Sequence, residues 1–385
     1  MLRGACHVVL IPGFFGFANL GDFKYFGHVE RFLAPALERR GLTPNVVHAS
    51  VPPTASLRER AAAVADALAA RVVVPGGIHL IGHSTGGLDA RLLVSPGVDL
   101  PTAAGVEGFA RRVRTVISVA TPHLGTPTAT YFSTRLGQRL LQLVSVVTIH
   151  AIRVGGVPLP AMVALAEALT LPRRMTELQG GLIDAVYQGI LQDFSPERRA
   201  QIVDFLGQVI RDQALMLQLG PEGMDLFEAG TTDRRSVRYA SVVTRARPPR
   251  LQGMLATGLS PSGQVGYALY RALYGIAAGG AGKGTLSPEQ ATALDHAFGE
   301  RPAETDNDAV VPTLSQVRGQ VLAAVWSDHL DVLGHFAGPG YEPPHHDWLM
   351  THSRFDRVAF ERVWGAVADY IAAHHSRPKA ETSAA

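Results

Sequence analysis

The chain has 385 residues, 46% of them hydrophobic and 18% charged, which suits one large α/β domain with insertions, or two domains, and excludes a disordered chain. Lysine and arginine total 35 against 33 aspartate and glutamate, a formal charge of +2 with no basic block, so nothing points to nucleic acid as a partner. Cys6 is the single cysteine, which rules out an intramolecular disulfide and leaves no covalent mark of an oxidising compartment.

The N-terminal sequence MLRGACHVVLIPGFFGF sets one arginine before an apolar run, a superficial likeness to a signal peptide. The run is short and leads directly into a glycine loop. Val8–Ile11 is therefore read as the first core strand, and the expected location is cytoplasmic, or secreted where a leader has been removed. Val46–Val51, Ile78–Ile81 and Val113–Val119 follow as further strands. Between them Ser56 opens a helix that runs to Arg71 with apolar positions at helical spacing, and another helix begins at Gly86. Continuous apolar strands alternating with helices predict an α/β fold, a mostly parallel sheet covered on both faces.

This rhythm breaks at residue 128. From there to 235 the pattern is only helical, and the segment is read as a cap or lid. Its most apolar stretch, 140–171, is interrupted by Arg153, Gly155, Gly156, Pro158, Pro160 and Glu167, short of the roughly 20 uninterrupted apolar residues that a spanning helix needs. The core is expected to occupy 1–127, to return as a strand within 236–249, to leave for a second cap insertion at 250–303 and to close over 304–375. Residues 376–385, polar and short, are expected to form a disordered tail.

The chemistry gathers at Gly82-His83-Ser84-Thr85-Gly86, which falls on a predicted strand-to-helix turn. In a G-x-S-x-G nucleophile elbow the serine sits in a strained backbone conformation, and the residues two before and two after it must be nearly without side chains. A serine hydroxyl also needs a base, and the base a carboxylate that orients it. Behind this elbow the expected chain order is serine, acid, histidine. Asp308 precedes the apolar run Ala309-Val310-Val311-Pro312, and His329 follows the predicted final strand Val321–Val325, so Ser84, Asp308 and His329 are the candidate triad. Asp306 is the rival acid and His335 the rival base. The oxyanion donors are expected at the amide of Thr85 and in the Pro12-Gly13-Phe14-Phe15-Gly16 loop, with Phe14 ahead of Phe15. Phe14, Phe15 and Phe17 would also make the mouth of the site apolar, their alternative role being core packing.

The segments PGFFGF, GHSTGG, ATPHLGTP, VRYASVV, NDAVVP and WSDHLDVLG resemble the bacterial triacylglycerol lipase and esterase group of the α/β-hydrolase superfamily. The resemblance covers the core at both ends of the chain and leaves the middle insertions unmatched. It implies an α/β-hydrolase fold, ester hydrolysis, Ser84 as nucleophile, Asp308 as acid, His329 as base, and Phe14 and Thr85 as oxyanion donors. Two departures stand out. Pro12-Gly13 replaces a common His-Gly, and Thr85 stands where glutamine is common, although both positions keep the backbone N–H that matters. The resemblance implies a hydrophobic ester substrate, with no organic cofactor. An acyltransferase or thioesterase with the same triad, and a non-catalytic lipid-binding protein of the same fold, are the alternatives.

Several relatives of this kind hold a structural calcium through an aspartate two residues after the histidine, here Asp331. A hard cation wants at least one further carboxylate, for which Asp295 is a weak candidate; a turn cap or an arginine partner is the preferred role for Asp331. His345-His346-Asp347 invites zinc, but without a spaced partner motif it is read as a solvated loop near Pro343-Pro344.

Overall fold

The computed structural model describes residues 5–14, 25–134, 194–250, 261–279, 284–338 and 345–376, with isolated positions between 137 and 192. Six strands form one sheet: β1 (Ala5–Ile11), β2 (Pro44–His48), β3 (Gly76–His83), β4 (Val113–Val119), β5 (Arg238–Arg245) and β6 (Gln320–Trp326). Their order is β2-β1-β3-β4-β5-β6 and every neighbouring pair is parallel. Both faces of the central strands are buried, which is why Val8, Val9, Leu10 and Ile11 run without polar alternation and why Ile78, Leu80 and Ile81 are interrupted only by the buried His79. The chain leaves β1 toward β2 on one side and returns to β3 on the other. The carboxyl ends of β1 and β3 therefore flank a crevice, the place where sheets of this kind expose loops to a ligand.

Helices α1 (Gly27–Glu38), α2 (Leu57–Arg71), α3 (Gly86–Val94) and α4 (Val106–Ala110) connect the first four strands. Ser56 caps α2 in a reciprocal box with Glu59, each side chain taking the other residue's backbone N–H. The alanines of α2 let it lie close to α3, and Leu57, Arg60, Ala61, Val64, Ala65 and Leu68 form its buried face. An arginine on that face is the one departure from an apolar stripe.

Among the described residues the first insertion is helical: α5 (Pro127–Phe132), α6 (Pro196–Arg211), α7 (Ala214–Gln218) and α8 (Pro221–Gly230). Much of the 140–171 stretch, Phe15, Phe17, Pro343, Pro344 and residues 377–385 lie outside the described residues. The second insertion is not uniform. Its helix α9 (Pro261–Ala277) packs on α5, whereas α10 (Pro288–Phe298) lies on β6, with Leu294 and Phe298 against Val243 and Trp326. Residues 288–298 thus cover the sheet at β6, its edge strand among the described residues. The last helix, α11 (Arg357–His374), packs against α1, where Phe360 meets Phe32 edge-on and Asp369 pairs with Arg40, and it buries Val363, Trp364, Val367 and Ile371. No helix among the described residues is long and apolar enough to cross a membrane.

Candidate active site

Ser84 follows β3 directly and adopts φ +52°. That left-handed conformation costs a non-glycine residue about 1–3 kcal/mol and has to be held by its surroundings. The flanking glycines explain how. A Cβ on Gly82 would lie 2.2 Å from the backbone of Gly86, and one on Gly86 would lie 2.3 Å from the carbonyl oxygen of Ile11. Gly13 makes the third close approach, its missing Cβ falling 2.5 Å from the Cβ of Ser84, so the loop after β1 rests on the serine itself.

His329 lies on the loop after β6 and is buried. Its Nδ1–H donates to Asp308 Oδ2 at 2.8 Å, which leaves Nε2 as the ring's lone-pair nitrogen. The Asp308 carboxylate is buried and satisfied: Thr244 Oγ1 and Gln316 Nε2 donate to Oδ2, and the amides of Val310 and Val311 donate to Oδ1. The His329 amide also donates to the Asp308 carbonyl at 3.1 Å, so backbone and side chain hold the pair together. Ser84, Thr85, Phe14 and His329 line one apolar pocket, with walls from Phe132, Leu141, Val144, Met216 and Leu273. The hydroxyl–imidazole hydrogen bond is not formed in this geometry; such bonds often close only around substrate.

The rivals are accounted for by their partners. Asp306 is held 2.6 Å from Arg245 Nη2, and Ala303 N donates to it at 2.7 Å. His335 faces His28 edge-on and Tyr25, and burial lowers its pKa to about 4.

The contacts that support this site carry no sequence signal. His83 donates Nε2–H to the carbonyl of His329 at 2.8 Å and accepts the Tyr25 hydroxyl at Nδ1, at 2.7 Å; burial keeps the ring neutral. Arg60, wholly buried, pairs bidentately with Asp89 at the start of α3 and also donates to the Pro12 carbonyl and to Thr85 Oγ1. One guanidinium therefore joins the loop before Phe14 to the turn that carries Thr85. Read from the sequence, Arg60 is one more charge on an alanine helix.

Asp331 is buried beside Asp328 and Asp347, with one carboxylate oxygen of each within 4.8 Å of the others. Burial pushes all three carboxyl groups up, Asp347 to about 7, and repulsion from neighbouring carboxylates adds to the rise at Asp328 and Asp331. Asp295, by contrast, forms a surface pair with Arg301. The further carboxylates near Asp331 are thus Asp328, one residue before the histidine, and Asp347, from a segment whose sequence predicts a solvated loop.

With this geometry in view, the family comparison bears on one segment. Residues 61–170 match a family described as "Putative serine esterase (DUF676)". The match covers 110 of 385 residues and includes Ser84 but neither Asp308 nor His329. Among solved structures, lipase 1 from Pelosinus fermentans aligns with a TM-score of 0.52 at 15% identity, over 96% of this chain and 99% of that one. EstA from Clostridium botulinum aligns at 0.49 and 17%, over 98% and 90%. Staphylococcus hyicus lipase aligns at 0.45 and 16%, over 96% and 95%. No curated protein matches. The likeness to the Pelosinus lipase is one of fold, and the fold is that of the α/β-hydrolases.

Proposed function

We propose that this chain is a serine hydrolase of carboxylic esters with a hydrophobic acyl group. One observation carries the reading. A serine held at positive φ on a strand-to-helix turn shares an apolar pocket with a histidine whose far nitrogen is bonded to a buried aspartate. The description of the family matched by residues 61–170 and the lipase neighbours point the same way.

His329 Nε2 removes the Ser84 proton as Oγ attacks the acyl carbonyl, and Asp308 stabilises the imidazolium that results. The amides of Phe14 and Thr85 receive the oxyanion, and Arg60 supports the loop and turn that carry them. His329 then protonates the leaving alcohol and activates the water that releases the acid. The pocket holds about 50 Å³ of free space, well below the roughly 300–1,000 Å³ typical of ligand sites. Phe132, Leu141 and Val144 of the helical insertion must therefore move outward as an acyl chain enters, which gives the insertion its role as a lid.

Asp328, Asp331 and Asp347 suit a hard divalent cation, calcium above all. Carboxylate oxygens are its usual ligands, and a dication between them would cancel their repulsion. Such an ion would supply structural support to the histidine loop.

The test is hydrolysis of p-nitrophenyl esters from acetate to palmitate by the native protein and by Ser84→Ala. The expected result is turnover favouring acyl chains longer than acetate and a loss of at least 10³-fold in the variant. Native protein inert on every ester overturns the reading in favour of a binding protein. Preferential transfer of the acyl group to an added alcohol moves it to an acyltransferase.

A further inference from the structure

At the opposite end of the sheet from Ser84, three ligand-type side chains from three elements meet in a place the hydrolytic chemistry does not use. Cys6 lies on β1, His79 on β3, and His375 immediately follows α11. The Cys6 sulfur and one ring nitrogen of each histidine lie within 4.8 Å of one another. Cys6 and His79 are fully buried, and His375 is 8% exposed. His79 precedes Ser84 by five residues of near-extended chain, about 16 Å, so the cluster stands apart from the triad.

The sheet register builds the seat. Cys6 pairs with Gly77, and a Cβ on Gly77 would touch His375 Nδ1 at 3.3 Å. The absent side chain is what lets the His375 ring settle beside Cys6 and His79, and the two rings stack with centroids 5.4 Å apart. His79 Nδ1 is hydrogen-bonded to Thr115 Oγ1 at 2.9 Å, which fixes the ring and aims Nε2 at His375 Nδ1, 3.1 Å away. An outer hydrogen bond on one nitrogen with the other turned inward is the usual arrangement of a metal-bound histidine. Zinc–nitrogen bonds of 2.0–2.1 Å at a tetrahedral angle put two ligand nitrogens about 3.3 Å apart, close to the 3.1 Å between these two, while the sulfur, within 4.8 Å of both, would close to about 3.5 Å around an ion.

We propose that Cys6, His79 and His375 form a binding site for a thiolate-seeking transition-metal ion of the zinc type, with water in the fourth position. One sulfur and two imidazoles favour such an ion over calcium or magnesium. Without metal, burial pushes the Cys6 thiol up to about 12, and one N–H lies between the two imidazoles. Metal entry releases the thiol proton to solvent as the sulfur–metal bond forms, and shifts the His375 proton from Nδ1 to Nε2. Each ion bound therefore frees one proton. The site would fasten the end of α11 to the two central strands.

Cobalt(II) added to the full-length, chelator-treated protein tests this independently of ester hydrolysis. The expected result is one equivalent bound, with a sulfur-to-cobalt charge-transfer band that zinc abolishes by displacement. Cys6→Ser should lose that band, and His375→Ala, at the end of a helix, should weaken cobalt binding at least tenfold. Absence of the charge-transfer band at saturating cobalt overturns the proposal, as does a band that both variants retain. If Cys6→Ser does not fold, the native spectrum and His375→Ala decide the matter. Cobalt held by the aspartate cluster is told apart because it gives no sulfur band.

Discussion

Arg60 shows how a single side chain can carry the geometry of a site it does not enter. It is buried, and its donors reach Asp89, the carbonyls of Pro52 and Pro12, and the Thr85 hydroxyl. Arg60→Ala leaves the Asp89 carboxylate buried without its partner, so a loss of about 3–5 kcal/mol is expected in urea unfolding. Arg60→Lys keeps a charge but not the planar fork, and misplacement of the oxyanion loop by about 1 Å is expected to cost up to 10²-fold in kcat with KM little changed. A lysine variant with native kcat would remove Arg60 from the account of the oxyanion hole. The two neighbouring aspartates separate in the same way. Asp308→Asn is expected to lower kcat by about 10⁴-fold, as loss of the orienting carboxylate does in other serine triads. Asp306→Asn should instead lower stability with turnover preserved, because its partner is Arg245. Asp306 and Asp308 lie two residues apart, so no spacing argument distinguishes them; Arg245, far upstream on β5 and paired with Asp306, does. The elbow was legible for the opposite reason. The strain at Ser84 forces glycine at positions 82 and 86, and that requirement is written locally.

At the scale of elements, the strands were readable wherever both faces are buried, since β1, β3 and β4 are rich in apolar residues, broken only by buried polar members such as His7, His79, Thr115 and Ser118 and by the partly exposed Arg114. The role of α10 was not, because a helix of intermediate apolarity reads the same whether it caps a pocket or covers β6. Nor was the contact between α1 and the loops after His329. There His28 of α1 stacks on His345 at 3.9 Å and meets His335 edge-on, with His346, Arg31 and Arg357 adding positive charge nearby. Burial and these neighbours lower His28 to about 3 and His335 to about 4. The folded protein thus holds these rings neutral, while the unfolded chain takes up protons from about pH 6.5 downward. Their contribution is intact above pH 6.5 and is lost progressively as pH falls toward 4. For the fully buried His335 the loss at pH 5 is about 2 kcal/mol. Unfolding free energies from urea titration at pH 7.5 and pH 5 should differ less in His335→Gln than in the native protein by about that amount. Equal pH sensitivity in the two proteins would assign the acid instability elsewhere.

For the whole molecule, the question is what ties the C-terminal segment to the catalytic end of the sheet. Residues 345–356 have no strand or helix among them, yet they supply Trp348 to the pocket wall and Asp347 and Ser353 to the aspartate cluster. Trp348 Nε1 donates to Asp328 Oδ1 at 2.6 Å, and Asp328 adjoins His329. The cluster therefore joins the histidine loop, the pocket and the last segment before α11. Asp328 and Asp331 are buried and Asp347 is half-buried beside them, and the crowding of these carboxyl groups raises Asp328 and Asp331, so a cation between them would strengthen this junction. A cation that binds only the folded chain adds about 4 kcal/mol at a thousand times its dissociation constant, which raises the melting temperature of a chain this long by several degrees. Calcium added to chelator-treated protein is expected to produce that rise and to restore ester turnover, and Asp331→Asn should abolish the calcium response. If calcium moves neither quantity, the three aspartates carry protons instead. Asp347→Asn, whose neutral amide mimics the protonated carboxyl, should then leave the melting temperature at pH 5 close to the native value. A calcium-dependent rise that Asp331→Asn abolishes and a calcium-independent melting temperature exclude each other, so one thermal series with and without calcium assigns the cluster.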